Sequence, residues 1–392
     1  MNQAFPRREF LLRSAVAATG LALGATAARS ETPNAAATNV SSFSFPLLGD
    51  LHFDKLEHHD MAWLDEKKKG DLGQIRNYSR ITAEIMPQLF AAVKATVADL
   101  NRTAETRVPF VLQVGDLVEG LCGSEERAAR QDQEALEFVR SAELGVPFIF
   151  TKGNHDVTGD GAPQAFAHVC QKFLGDQPVN FTGEGKPASA NNYTIEHGDA
   201  LFCVFDAYEA QSLEWLEAAL ARRTARHCFV VIHPPVVPYG ARATWHLYGS
   251  ARDQAKREKL LEMLGKQNAF VLGGHIHKFN TLTRTTPKGG KFVQLAVSSV
   301  INSPAVKVKD TLSGVAAYNG DQIRVEPAFS PDTEPQRRAV YEAEGPFVKS
   351  FEYADLPGYA VVDVTPTRVT ARVFAGVSRE LWRTVDLTGL MG

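Results

Sequence analysis

Short apolar runs recur along the chain, and each ends in Gly, Pro, Asp, Asn or His. They are SFSFPLLGD (42–50), PFVLQVGD (109–116), VPFIFTKGNHD (146–156), ALFCVFDA (200–207), HCFVVIHPP (227–235) and FVLGGHIH (270–277). Continuous runs of this kind predict strands buried on both faces. Helical periodicity fills the gaps at 81–101, 124–144, 210–223 and 250–266; in the first, Ile81, Ile85, Leu89, Val93 and Val97 recur every four residues. Strands alternating with helices predict a layered α/β core. Beyond residue 277 the pattern changes. Residues 291–300, 314–320 and 322–327 read as strands or hairpins, 359–376 alternate strongly, and 330–353, rich in Pro, Glu and Arg, read as a surface excursion.

The first 28 residues stand apart. PRREFLL (6–12) sets Arg7 and Arg8 before Phe10, a weakly apolar Ala/Gly/Leu run follows, and ATAA (25–28) offers small-residue cleavage positions. This is a targeting segment rather than part of the fold, and its paired arginines resemble a twin-arginine export signal. The run is too short and too diluted by Gly, Ser and Thr for a spanning helix, so no stable membrane anchor is expected. The implied organisation is a signal peptide over 1–28, a flexible leader over 29–42 and one domain over 43–392, exported to the periplasm or beyond through the twin-arginine machinery.

Composition narrows the class. The 392 residues are 44% hydrophobic and 22% charged, with a net charge of −3, which suits a soluble globular protein and argues against one that coats nucleic acid. A phosphorylated small-molecule substrate stays open, because bound metal supplies local positive charge. Cys122, Cys170, Cys203 and Cys228 show no CxxC spacing. Their even number permits disulfides in an exported chain, although Cys203 and Cys228 lie in apolar runs as small core residues.

The chemistry lies at the ends of the runs. Asp50-Leu51-His52, Gly115-Asp116, Gly153-Asn154-His155-Asp156, His233-Pro234-Pro235 and Gly274-His275-Ile276-His277 follow one another over about 230 residues. In open α/β sheets ligands bind beyond the carboxyl ends of strands, where residues distant in sequence converge. An isolated Asp or His at such a place is an ordinary turn residue; five in series are not. Carboxylates, imidazoles and an amide oxygen together suit Zn, Fe, Mn or Co.

The ordered set resembles that of the calcineurin-like metallophosphoesterase superfamily, by motif over roughly 45–279. The resemblance implies a four-layer α/β/β/α sandwich, the later strands supplying the second sheet. It implies two divalent transition-metal ions, one held by Asp50, His52 and His277 and the other by Asn154, His233 and His275, with Asp116 bridging them. A metal-bridging hydroxide would attack phosphorus, His155 would protonate the leaving group, and Asp156 would orient His155. Monoester, diester, pyrophosphate and nuclease substrates remain open, as does a catalytically silent binding module on the same fold. Glu119 stands three residues after Asp116, where purple acid phosphatases have tyrosine, so an iron–tyrosinate site is not supported. In the loop over 55–71, His58 and His59 are candidates to touch substrate or to be solvated, as are Arg76, Asn77, Tyr78, Arg80, Tyr239, His246 and Tyr248.

Overall fold

Every one of the six apolar runs folds as a strand. The computed structural model describes residues 42–182, 191–240, 244–320 and 333–392; the expected signal peptide and nearly all of the leader lie outside them. β1 (Phe43–Leu48), β2 (Val111–Gln113) and β3 (Phe148–Phe150) are parallel neighbours. The second sheet holds β4 (Phe181–Thr182), β5 (Tyr193–His197), β6 (Ala200–Phe205), β7 (His227–Ile232), β8 (Phe270–Gly273), β9 (Phe279–Thr285), β10 (Lys291–Ala296), β11 (Lys309–Ser313) and β12 (Val348–Asp355). Its order is β11-β12-β9-β10-β8-β7-β6-β5-β4, with β6, β7, β8 and β10 parallel.

The last three strands depart from expectation. β13 (Gly358–Val364), β14 (Val369–Ala375) and β15 (Glu380–Asp386) join the first sheet, not the second, giving the order β15-β14-β13-β1-β2-β3. β13 lies antiparallel to β1, with Phe43 opposite Val364 and Leu47 opposite Ala360. The second sheet is completed instead by β9 to β12. Of the excursion expected over 330–353, residues 348–353 belong instead to β12, which pairs with β9 inside the sheet.

Helices cover both outer faces. On the first sheet lie α1 (Met61–Lys67), α2 (Leu72–Glu84), α3 (Met86–Leu100), α4 (Glu125–Ser141), α5 (Ala162–His168) and α6 (Cys170–Gly175). On the second lie α7 (Ser212–Ala221), α8 (Gln254–Lys266), α9 (Val315–Asn319) and α10 (Glu334–Glu344). The single helix expected over 81–101 is the end of α2 followed by α3, because Pro87 in the first turn cannot continue an existing helix but opens a new one. Residues 314–320, expected as strand, form α9; Ala316 and Ala317 favour helix, and Tyr318 is fully buried there.

The continuous apolar runs have a simple origin. In β6, Leu201, Cys203 and Phe205 pack under α7 and α8, while Phe202 and Val204 face the first sheet. Alternate residues thus point to different cores, and both cores are dry. Between the sheets Phe202 stacks on Phe229 at 4.7 Å and meets Phe45 and Phe110 edge-on at 5.3 and 5.2 Å. This aromatic layer fixes how the sheets face each other, so the carboxyl ends of β1, β2 and β3 come to lie beside those of β7 and β8. All four cysteines are buried free thiols. No helix among the described residues is long and apolar enough to cross a membrane.

Candidate metal centre

Beyond those strand ends the chain turns sharply. His52, Asp116, His275 and His277 all have positive φ, at 49°, 55°, 72° and 58°, a region that non-glycine residues occupy at a cost and that marks functional sites. Gly115 precedes Asp116 with φ 96°. At Gly153 the need is space: a Cβ there would lie 2.1 Å from both the amide nitrogen and Oδ1 of Asp116. Gln113, fully buried in β2, ties two of these turns together by donating to the carbonyls of Gly49 and Gly115 and accepting from the Gly115 N–H. A lone glutamine within an apolar run is the sequence signal for it.

The turns deliver two groups of donor atoms. Asp50, His52, Asp116 and His277 form one, and Asp116, His233 and His275 the other; within each, the atoms lie within 4.8 Å of one another. Asp116 is common to both. Its Oδ2 is 3.1 Å from His233 Nε2 and 3.7 Å from His52 Nε2, while its Oδ1 accepts the His155 N–H at 2.8 Å. Asn154 Oδ1 completes the second group, 3.1 Å from His233 Nε2 and 2.8 Å from His275 Nδ1. His275 and His277, adjacent on one turn, therefore fall into different groups.

Second contacts set the tautomers. His52 Nδ1 donates to Glu119 Oε2 at 2.7 Å, and His233 Nδ1 donates to the Val114 carbonyl at 2.8 Å. Each turns Nε2 inward, toward the other donor atoms. His52 Nε2 then faces His277 Nε2 at 3.0 Å, and His233 Nε2 faces His275 Nδ1 at 3.2 Å. Asp50 Oδ1 accepts the His275 N–H, but Oδ2 is buried with no hydrogen-bond partner. An orphaned carboxylate oxygen and converging imidazole lone pairs are what a cation satisfies. The residues present thus fit a pair of divalent metal ions.

Electrostatics agree with that donor set. Burial opposes ionisation of Asp50, yet His277 and His233 outweigh it and hold the carboxyl down at about 2. Asp116 is held well below the usual range, with His233 and His155 overriding its burial. His233 rises to about 9 against its burial because of Asp116, while burial and then the His233 charge hold His275 down at about 3.

His155 lies beside the donor groups. Its Nδ1 donates to the Glu119 carbonyl at 2.8 Å, and the Glu119 carboxylate is 3.2 Å away. Burial opposes its charge, but Asp116 and Glu119 raise it to about 10. Asp156 is not the partner expected for His155. It accepts the N–H groups of Gly153, Asp116 and Val118 at 2.7, 3.1 and 3.1 Å, pinning the two loops, because the short helical turn at 155–157 points its carboxylate inward. Glu119 takes the orienting role and also accepts from Gln74 Nε2 at 2.9 Å. Its place three residues after Asp116 singles it out in GDLVEG, but spacing alone assigns it no role.

The surrounding candidates separate. Tyr78 stacks on His52, 4.3 Å between centroids and nearly parallel. His58 and His59 are neither solvated nor open to substrate. Both are buried, His58 on Glu134 at 3.0 Å and His59 on Asp54 at 2.7 Å. Tyr239 is fully buried, and Asn77 and Arg80 reach Asn302 rather than the donor atoms. His246 Nδ1 bonds the Thr244 carbonyl. One aromatic residue that the sequence did not single out stands at the site, Trp245, its ring 4.6 Å from that of His275.

Comparisons with known proteins match this geometry. The family model of the calcineurin-like phosphoesterases matches residues 44–279, well over half of the chain. No curated protein sequence matches. Among solved structures, a dimetal phosphatase from Danio rerio aligns over 88% of this chain and 99% of its own, at 14% identity and a TM-score of 0.51. A purple acid phosphatase from yellow lupin (Lupinus luteus) seeds aligns over 88% of this chain and 53% of its own, at 12% identity and a TM-score of 0.51. The chain thus spans about half the length of the lupin protein. At these identities the likeness is one of fold.

Proposed function

The chain belongs to the calcineurin-like phosphoesterase family, and we propose that it is a metal-dependent phosphoester hydrolase acting at the donor groups that share Asp116. The observation carrying this reading is the pair of donor sets joined at one carboxylate, with imidazole protons turned outward and Asp50 Oδ2 unsatisfied. Asp50, His52 and His277 would hold one ion, Asn154, His233 and His275 the other, and Asp116 both. Nitrogen and oxygen donors without thiolate suit Mn, Fe, Zn or Co.

Bound divalent ions supply acidified water as nucleophile and positive charge for the phosphoryl oxygens. The chain's own residues do the rest. His155, held through Nδ1 and 21% exposed, presents its remaining nitrogen to substrate and gives a proton to the departing alkoxide, a step worth roughly 10²–10⁴ in rate. Glu119 keeps that imidazole cationic and fixes His52. Asp156 keeps the loops of Asp116 and His155 in register.

Reconstituted full-length protein should hold close to two transition-metal ions per chain and hydrolyse p-nitrophenyl phosphate or its bis-ester, the ratio separating monoesterase from diesterase. Failure to retain metal overturns the proposal, and two ions without turnover would make the chain a silent binding module. His155→Ala should keep the metal and lose most turnover; retained turnover would mean another proton donor.

The paired Arg7 and Arg8 ahead of an Ala/Gly/Leu run support export of the folded, loaded protein. Lysine at both positions should leave it in the cytoplasm, and continued secretion would point to a different route.

A further inference from the structure

The phosphoesterase reading leaves the alcohol half of the substrate unspecified, and the rim of the site bears on it. The exposed large hydrophobic residues among those described are Leu56, Met61, Tyr208, Trp245 and Leu381. Of the two aromatic ones, Trp245 stands beside a candidate metal-holding residue, His275. Trp245 is 48% exposed, yet its ring lies 4.6 Å from that of His275, tilted by 41°. Its position is built. Thr244 and Leu247 on either side are 4% and 6% exposed, and the Leu247 N–H donates to the Pro235 carbonyl at 2.8 Å, tying this segment to the end of β7. The indole alone of this anchored stretch faces outward, next to an imidazole that would hold metal.

Tyr208 follows β6, with its N–H on Asp206 Oδ1 at 2.8 Å. The residue is 37% exposed. Burial around the hydroxyl raises its pKa well above the ordinary value, and the charges of Asp116, Asp156, Asp206 and Asp50 add to that. A half-wet indole beside a polar centre leaves apolar area in water that a flat ligand would cover.

We propose that Trp245 is a stacking surface for a planar aromatic group in the alcohol portion of the ester, so that the enzyme prefers aryl or nucleoside phosphoesters over aliphatic ones. This rests on the phosphoesterase reading for its location, but stacking itself is sequence-tolerant and needs no hydrogen-bond readout. An aromatic held at a distance from phosphorus adds uniform binding, which appears in KM.

The test compares adenosine 5′-phosphate with glycerol phosphate, or the methyl diesters of both if diesters are the substrate, using metal-loaded full-length protein. The two leaving alcohols have similar chemistry and differ in the base. Trp245→Ala should lower the ratio of the two kcat/KM values about tenfold or more, through KM for the adenosine ester, and Trp245→Phe should restore most of it. An equal loss on both esters, or an unchanged ratio, overturns the proposal. Equilibrium dialysis of adenosine and ribose against the same proteins reads the surface without turnover. Adenosine retention that falls in Trp245→Ala and returns in Trp245→Phe supports the stacking surface even if no ester is hydrolysed, in which case only the phosphoesterase reading fails. Equal retention of adenosine and ribose by the unsubstituted protein overturns the stacking surface.

Discussion

Glu119 shows how much one side chain can carry. It is fully buried, touches His52 and His155 through its carboxylate, and also holds His155 through its backbone carbonyl. Burial disfavours its charge, yet His155 and His52 hold the carboxyl at about 2. Replacing it by Gln keeps the shape and removes the charge. Outer partners of metal-binding histidines are typically worth about 10–100-fold in metal affinity or activity, so Glu119→Gln should lose that much in a metal titration or in turnover. Unchanged values in both would mean that stacking on Tyr78 and the Glu119 carbonyl suffice to hold the two rings. At this scale the converging donor residues were legible because each is tied to a strand end. Glu119 was not, since its work depends on two imidazoles brought from 52 and 155 by folding.

At the scale of elements, strands were legible and helix breaks were not. A run apolar at every position predicts double burial, and β6 shows why: its two faces serve different cores. Helical periodicity continued through Ile85, but Pro87 forces a new start that periodicity does not register. The inter-sheet aromatic layer is the element-level device that sets the site. Phe202 is 1% exposed and contacts Phe45, Phe110 and Phe229. Phe202→Ala should cost about 3–5 kcal/mol, against about 0.5 kcal/mol or less for Leu381→Ala at a 49% exposed position, as read from denaturant unfolding. A similar cost at both would mean that the sheets are registered by something other than this layer.

The whole molecule depends on contacts that join distant parts of the chain. Glu344 on α10 is buried between Arg257 of α8 and Arg284 of β9, at 2.5 and 2.8 Å. Burial raises its pKa, but the two guanidinium groups prevail and lower it. A carboxyl depressed on folding contributes stability above its unfolded pKa of about 4.3 and loses it as pH falls through the lower, folded value. Acid unfolding should therefore lose part of its pH dependence in Glu344→Gln. That variant should also be weaker at neutral pH by about 3–5 kcal/mol, since two buried cations lose their partner. An unaltered acid limb would assign that slope to other carboxylates.

Strand pairing at this scale was the least legible. The alternation over 359–376 predicted strands but not their neighbour, because period-two patterning records which face is buried and is silent on which edge is matched. β13 in fact closes the flank of β1, the strand that delivers Asp50 and His52. Every proposed ligand has been synthesised once residue 277 is made, yet β1 lacks its β13 neighbour until residue 364 follows, and until then presents an open edge, free to pair with another extended chain. A chain truncated before β13 should therefore carry the full donor set yet aggregate, which light scattering of such a truncation checks.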